Sequence, residues 1–261
     1  MPGVVVNLSA APGWYGKLPT LGDFASRRLE PGFIEPWDAW LAAGLAAQRE
    51  ALGAGWVRAY LHSPAWRFVL MPGVLSGVLS KAAGGPRSKL AWAGVLMPSV
   101  DQVGRYFPLT LASPLTALPA GAAGFEALLG WLQRLEDVAV DAMQDDWSID
   151  RLEDVLATMA PACASVAPAA PNAFAAALEG DGGFVDLQGI RSRAELAAMV
   201  VGAVGAAAGD AWQPAAAGRS FWLADHPDRP RLLASRGLPS RAEFIGMLDA
   251  SSRDADATTL F

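Results

Sequence analysis

Two kinds of apolar pattern alternate along this chain. In the first, apolar residues recur at intervals of three and four. From Phe33 to Leu52 the positions Phe33, Trp37, Trp40, Leu41, Leu45 and Leu52 do so, which predicts a helix with Pro36 in its first turn, where a missing N–H costs nothing. From Gly124 onward Phe125, Leu128, Leu129, Leu132, Leu135, Val138 and Ala142 trace a single stripe, with Glu136, Asp137, Asp141 and Asp145 facing away from it or at its margin. Ser148 is a good N-cap for a short helix carrying Ile149, Leu152, Val155, Leu156 and Met159, stopped by Pro161. Helices are also predicted over Ser192 to Ala208 and Ser240 to Asp249.

The second pattern is the short unbroken apolar run, which predicts buried strands. Trp66 to Met71 and Val74 to Leu79 flank Pro72-Gly73 and suggest a hairpin. Ala91 to Met97 and Phe107 to Ala112 read as strands covered on both faces. Ser220 to Asp225 and Arg231 to Gly237 form a second hairpin, and Gly13 begins a short strand-like piece that turns at Pro19 and Gly22.

Six or seven strands, several joined as hairpins, with helices grouped between them, predict an α+β fold: a layered domain with a mostly antiparallel sheet packed by helices. The expected organisation is one domain over residues 10–250. Its motif-bearing core runs to about 145, and a portion over 146–250 includes an Ala/Pro-rich linker at 161–183. Residues 251–261 read as a disordered tail. At 261 residues the chain is long enough to bury a full core, and its 52% hydrophobic content excludes intrinsic disorder as its general state.

Charge narrows the function classes. The net charge is -6, with three lysines beside 17 arginines, and no basic stripe forms that would neutralise a row of phosphates. Nucleic acid is therefore not an expected partner. Cys163 is the sole cysteine, so no internal disulfide forms and a reducing compartment is expected. The first residues lack the basic start of a secretory signal, and the apolar run from Leu196 to Gly209 is shorter than the ~20 residues that span a bilayer. A cytoplasmic protein without membrane insertion is the expectation.

Conventional chemistry finds few candidates. His62 and His226 have no companion at metal-binding spacing, no serine sits in a nucleophile elbow, and Cys163 lies in an Ala/Pro-rich stretch. Gly13 to Lys17 lacks the hydroxyl and helix start of a phosphate loop. Eight carboxylates between Glu136 and Asp154 lack calcium-loop spacing and read as a solvated face or a partner surface. No catalytic, cofactor-binding or metal residue is assigned.

The exception is a polar break between two buried strands. In WAGVLMPSVDQVGRYFPLTL, Asp101 and Arg105 interrupt apolar sequence, and Lys17 and Asp23 join them if the two motifs meet. An aspartate commonly accepts from a backbone N–H two residues on, and an arginine fork can tie such a turn to the carboxylate of Asp101 or Asp23. The cluster Lys17, Asp23, Asp101 and Arg105 thus pins a loop, binds a partner, or forms an active site for a small ligand. With no activated nucleophile beside it, the structural role is preferred.

Five blocks in order carry a resemblance: GWYGKLPTLGDF, FIEPWDAWL, SPAWRF, GVLMPSVDQVGRYFPLTL and SFWLAD with LLASRGLP. Together they resemble the TagF family of bacterial type VI secretion accessory proteins, over about 230 residues. The resemblance implies a non-enzymatic cytoplasmic regulator that represses apparatus assembly post-translationally. It also implies a forkhead-associated-domain scaffold as partner and a functional link to a threonine kinase/phosphatase pathway. It supplies no catalytic residue and no cofactor.

Overall fold

Eight strands join into one sheet, and the side chains of its central strands are apolar on both faces. The computed structural model describes residues 11–75, 90–115, 118–119, 121–159, 182–186, 192–193, 196, 216–225 and 230–248. In chain order the elements are β1 (Gly13–Gly16), β2 (Ala25–Arg27), α1 (Pro31–Leu52), α2 (Trp56–Leu61), β3 (Trp66–Leu70), β4 (Ala91–Met97) and β5 (Leu109–Leu115). They continue with α3 (Gly121–Gln144), α4 (Ile149–Ala157), β6 (Gly182–Asp186), β7 (Arg219–Ala224), β8 (Arg231–Arg236) and α5 (Arg241–Gly246). The sheet order is β2-β1-β5-β4-β3-β7-β8-β6, with every pairing antiparallel.

The α+β architecture with an antiparallel sheet is the predicted one, and the strand inventory differs in three places. Ala25–Arg27 and Gly182–Asp186 are strands that the pattern did not announce, because both are short edge strands with little apolar sequence. Gly182 and Gly183 fall in the segment expected to be linker. The hairpin at Pro72-Gly73 does not form. Strand β3 is hydrogen-bonded to β4 on one side and β7 on the other, so neither of its edges takes the run after Gly73, of which 76–79 lie outside the described residues. The remaining expectations for 76–89, 160–181, most of Ser192 to Ala208, the turn after Asp225 and the tail 251–261 fall outside the described residues.

Alternation along each strand sends its residues to two separate cores. On one face Trp14, Val69, Ala93, Val95, Leu109, Leu111, Phe221 and Leu223 meet Leu128, Leu132, Leu135 and Ala139 of α3 and Leu152 and Leu156 of α4. On the other, Trp66, Phe68, Leu70, Leu96, Trp222 and Leu233 meet Phe33, Trp37, Leu41 and Leu45 of α1 with Trp56 and Tyr60 of α2 and Phe244 of α5. A sheet clothed on both sides has no polar face, which is why its strands read as unbroken apolar runs.

Tryptophan fixes the second core. Trp37 packs on Phe68 at 4.9 Å and stacks on Trp222 at 6.0 Å, while its Nε1 donates to Thr110 Oγ1 at 2.9 Å. Helix α1 begins at Pro31, earlier than expected, so Pro36 lies inside the helix and forgoes one backbone bond. Helices α4 and α5 start as the sequence indicates: Ser148 accepts from the Arg151 N–H, and Ser240 with Glu243 forms a reciprocal capping box.

Close packing explains Gly94. A Cβ there would fall 2.6 Å from the Phe68 ring and against the Leu111 carbonyl. Gly94→Ala is expected to cost about 1–3 kcal/mol by overpacking, read as a lower midpoint in urea with an unchanged slope.

Candidate functional site

The loop between β4 and β5 is built around one carboxylate. The Asp101 carboxyl is buried and takes four hydrogen bonds. Its Oδ1 accepts from the Val103 N–H at 3.1 Å and the Arg105 N–H at 2.8 Å. Its Oδ2 accepts from Arg105 Nε at 2.7 Å and from Lys17 Nζ. The expected bond two residues on is therefore present, and it is one of four. The backbone closes the same loop: Asp101 N–H donates to the Arg105 carbonyl, Gly104 N–H to the Asp101 carbonyl, and Gly104 has φ 80°, a conformation that favours glycine.

Lys17 leaves the end of β1 and reaches this carboxylate from below, itself 3% exposed, with its ammonium 4.6 Å from the centroid of the Phe24 ring. Its carbonyl accepts from Ser99 Oγ at 2.6 Å. The 17–24 segment is then tied to the 98–108 loop by Gln102 N–H to the Leu21 carbonyl and by Arg105 Nη2 to the Gly22 carbonyl. Three of the four predicted residues, Lys17, Asp101 and Arg105, come together. Asp23 does not join them: it is exposed and accepts from the Phe24 N–H at 2.8 Å, so Arg105 pairs with Asp101. Sequence reasoning missed Tyr60 of α2, whose hydroxyl donates to the Ser99 carbonyl and accepts from the Ser99 N–H.

Burial on its own raises the Asp101 pKa, but hydrogen bonds from Lys17 and Arg105 outweigh it and hold the carboxyl well below the usual carboxylate range. Four donors occupy the acceptor sites of an ionised carboxylate. In this geometry Asp101 has no free lone pair with which to accept a substrate's proton, and Lys17 is held as its counter-ion. His62 sits exposed at the end of α2 with Nδ1 2.8 Å from the Arg58 carbonyl. Cys163 and His226 lie outside the described residues, among which no group of three His, Cys, Asp or Glu is placed to hold a metal ion.

A second charged cluster, unannounced by the sequence, lies on the α3 side of the sheet. Arg67, fully buried in β3, donates to Gln133 Oε1 at 2.7 Å and lies 3.1 Å from Glu136 Oε2 and 2.5 Å from Asp225 Oδ2. Glu136 thus lies at the margin of the stripe with its carboxylate turned toward Arg67. The clue was available: Leu129, Leu132, Glu136 and Ala139 share one stripe, so the glutamate occupies an apolar position. Burial pushes its carboxyl up to about 7, with Arg67 opposing and Asp225 and Asp137 adding to the rise.

The exposed apolar side chains belong to the same end of the molecule as Asp101. Phe24 is 46% and Val103 65% exposed on the two joined loops. Val57 and Leu61 lie four apart on α2, which packs onto the β4–β5 loop through Trp56 and Tyr60 against Tyr106. Among the described residues these four are the exposed large hydrophobics.

Two variants follow from these clusters. Asp101→Asn leaves Lys17 buried without its counter-ion and is expected to lower Tm more than Arg105→Ala, while Asp23→Ala leaves it unchanged. Because the folded pKa of Asp101 is depressed, its contribution is present above the unfolded value near 4 and lost as pH falls through the folded one. Glu136 has the opposite sign: its contribution is present below about pH 4.5 and lost as pH rises through about 7. Glu136→Gln is expected to flatten the decline in stability over that window, measured by urea denaturation at a series of pH values.

Known proteins place this architecture. A crystal structure of PA0076 from Pseudomonas aeruginosa PAO1 matches with a TM-score of 0.61 and 32% sequence identity, covering 91% of this chain and 94% of that one. No curated protein matches. Among the described residues no helix is long and apolar enough to cross a membrane. A family model described as the TagF N-terminal domain, type VI secretion system-associated, matches residues 13–159, which include β1 to β5, the Asp101 loop and helices α1 to α4. The chain belongs to the TagF family of type VI secretion system-associated proteins.

Proposed function

We propose that this chain is a non-enzymatic, cytoplasmic accessory protein that represses assembly of the secretion apparatus post-translationally by binding a forkhead-associated-domain scaffold. Family membership supplies the association with type VI secretion. The observation that carries a binding role over a catalytic one is the state of Asp101, whose four acceptor positions are filled from within the chain. The cluster spends its charge on holding two loops together, and those loops carry Phe24 and Val103 outward. Repression then follows mass action: scaffold held by this protein is withdrawn from assembly. A threonine kinase/phosphatase pathway opposes the repression under this reading.

The docking face in this reading is the end of the sheet bearing the 17–24 and 98–108 loops. The acidic surface of α3 and α4, where Asp137, Asp141, Asp145, Asp150 and Asp154 are exposed, is the competing face. In titrations of purified scaffold monitored by calorimetry, Val103→Asp, at a side chain 65% exposed, is expected to keep its Tm and to weaken binding by roughly tenfold or more. Loss of binding only on charge reversal of the acidic helices would move the interface there. Absence of binding by the unaltered chain would overturn the reading.

A further inference from the structure

Helix α3 carries a glycine that its packing does not call for. Gly130 stands inside Gly121–Gln144, where glycine is less favourable than alanine. A Cβ at Gly44 or Gly94 would collide with a ring. At Gly130 a Cβ would meet, within 4 Å among the described residues, only Arg134 Nη1 at 3.8 Å and Arg193 Nη2 at 3.9 Å, both ordinary contacts. The glycine instead keeps open a space on which two guanidinium groups converge. Both are held there by the fold. Arg134 follows Gly130 by one turn of α3. Arg193 begins a helical turn in which the Leu196 N–H donates to the Ser192 carbonyl at 3.0 Å, and Leu196 is buried in the core that α3 covers.

Both arginine side chains are exposed, and among the described residues neither forms an ion pair or a hydrogen bond. The exposed carboxylates of α3 nearest in sequence, Glu126 and Asp137, do not neutralise them, and Asp137 accepts from Gln133 Nε2 at 3.2 Å. The two guanidinium tips are closer together than the about 10 Å over which 0.1 M salt screens charge, so they repel unless an anion lies between them. We infer that the space over Gly130 is a binding site for a phosphoryl dianion, with Arg134 and Arg193 each donating to its oxygens. A carboxylate has one charge and is filled by a single arginine fork, whereas a phosphoryl group carries nearly two charges and three acceptor oxygens, enough for both. The site is separate from the docking reading above, since it needs no scaffold, and its failure leaves that reading intact.

The test uses the full chain, ¹⁵N-labelled, at neutral pH and constant ionic strength, with the Gly130 backbone amide resonance as reporter. Inorganic phosphate and acetate are titrated in parallel. Expected is a saturable shift with phosphate, at an affinity roughly tenfold or more above that for acetate. Arg134→Gln and Arg193→Gln, both at exposed positions, are each expected to weaken phosphate binding by roughly tenfold and to leave Tm unchanged. Phenyl phosphate, run alongside, separates the two sources of a phosphoryl group: tighter binding than inorganic phosphate assigns the site to an ester, and equal or weaker binding assigns it to the free ion. Equal affinity for phosphate and acetate, no shift at Gly130, or unchanged phosphate affinity in both arginine variants overturns the inference.

Discussion

Helices cover both faces of the sheet, and that constraint governs what polar chemistry the chain can contain. Between α1, α2 and α5 on one side and α3 and α4 on the other there is no solvated face for a charge to occupy. Any ionised group inside must be met by partners from the chain itself, because an isolated buried charge is far more costly than any single interaction is stabilising. Among the described residues Lys17, Arg67 and Arg219 are the buried cations, and the first two are met in different ways. Lys17 meets a carboxylate whose other acceptor sites are also filled, and the result is a charge pair with nothing left over. Arg67 meets Gln133, Glu136 and Asp225 near the sheet's end, where Asp225 is half exposed and Glu136 is held near its midpoint at neutral pH. In one cluster hydrogen bonds hold the carboxyl well below the usual carboxylate range, while in the other burial pushes it up to about 7.

That constraint also decides what the sequence reveals. Strands clothed on both sides lose the alternation that marks an ordinary half-buried strand, yet they gain a run of apolar residues that stands out, and Ala91–Met97 is legible to the residue. Helices α1 and α3 are legible from the stripe, and α4 from its stripe and the Ser148 cap together. What stays hidden has a shared cause. Strands β2 and β6 are edges whose stability comes from one neighbour's hydrogen bonds, and neither Ala25–Arg27 nor the Gly182-Gly183 start has a local pattern to show it. The Pro72-Gly73 hairpin was read from two apolar runs side by side, and only the non-local pairing of β3 with β7 excludes it.

The polar loop was half legible for the same reason. The bond from Asp101 to the Val103 N–H is local and follows from residue type. Lys17 sits 84 positions away and could be joined to Asp101 only by the pairing of β1 with β5, which brings their loops to one end of the sheet. Asp23 was the misassigned partner because it lies in the correct loop; the backbone delivers Leu21 and Gly22 to the cluster and points Asp23 elsewhere. A loop tied at so many points loses little freedom when a partner closes over it, and that is the property by which a preorganised surface binds more tightly than a flexible one.

The family match ends at residue 159, and the sheet does not. Strand β3 lies inside the matched segment, yet its second edge is hydrogen-bonded to β7, and β7 carries Trp222 into the core between Trp37, Trp40 and Phe68. Helix α5 then lays Phe244 against Gly44 of α1, so closely that a Cβ at that position would sit 2.6 Å from the ring. A chain cut at 159 would leave a central strand with a bare edge and a tryptophan-sized gap beside α1, the two features most prone to mispairing and collapse. The segment 219–248 therefore completes the layer on which the matched motifs stand. The Asp101 loop follows β4, and β4 is braced through β3 by strands that begin 60 residues after the match has ended.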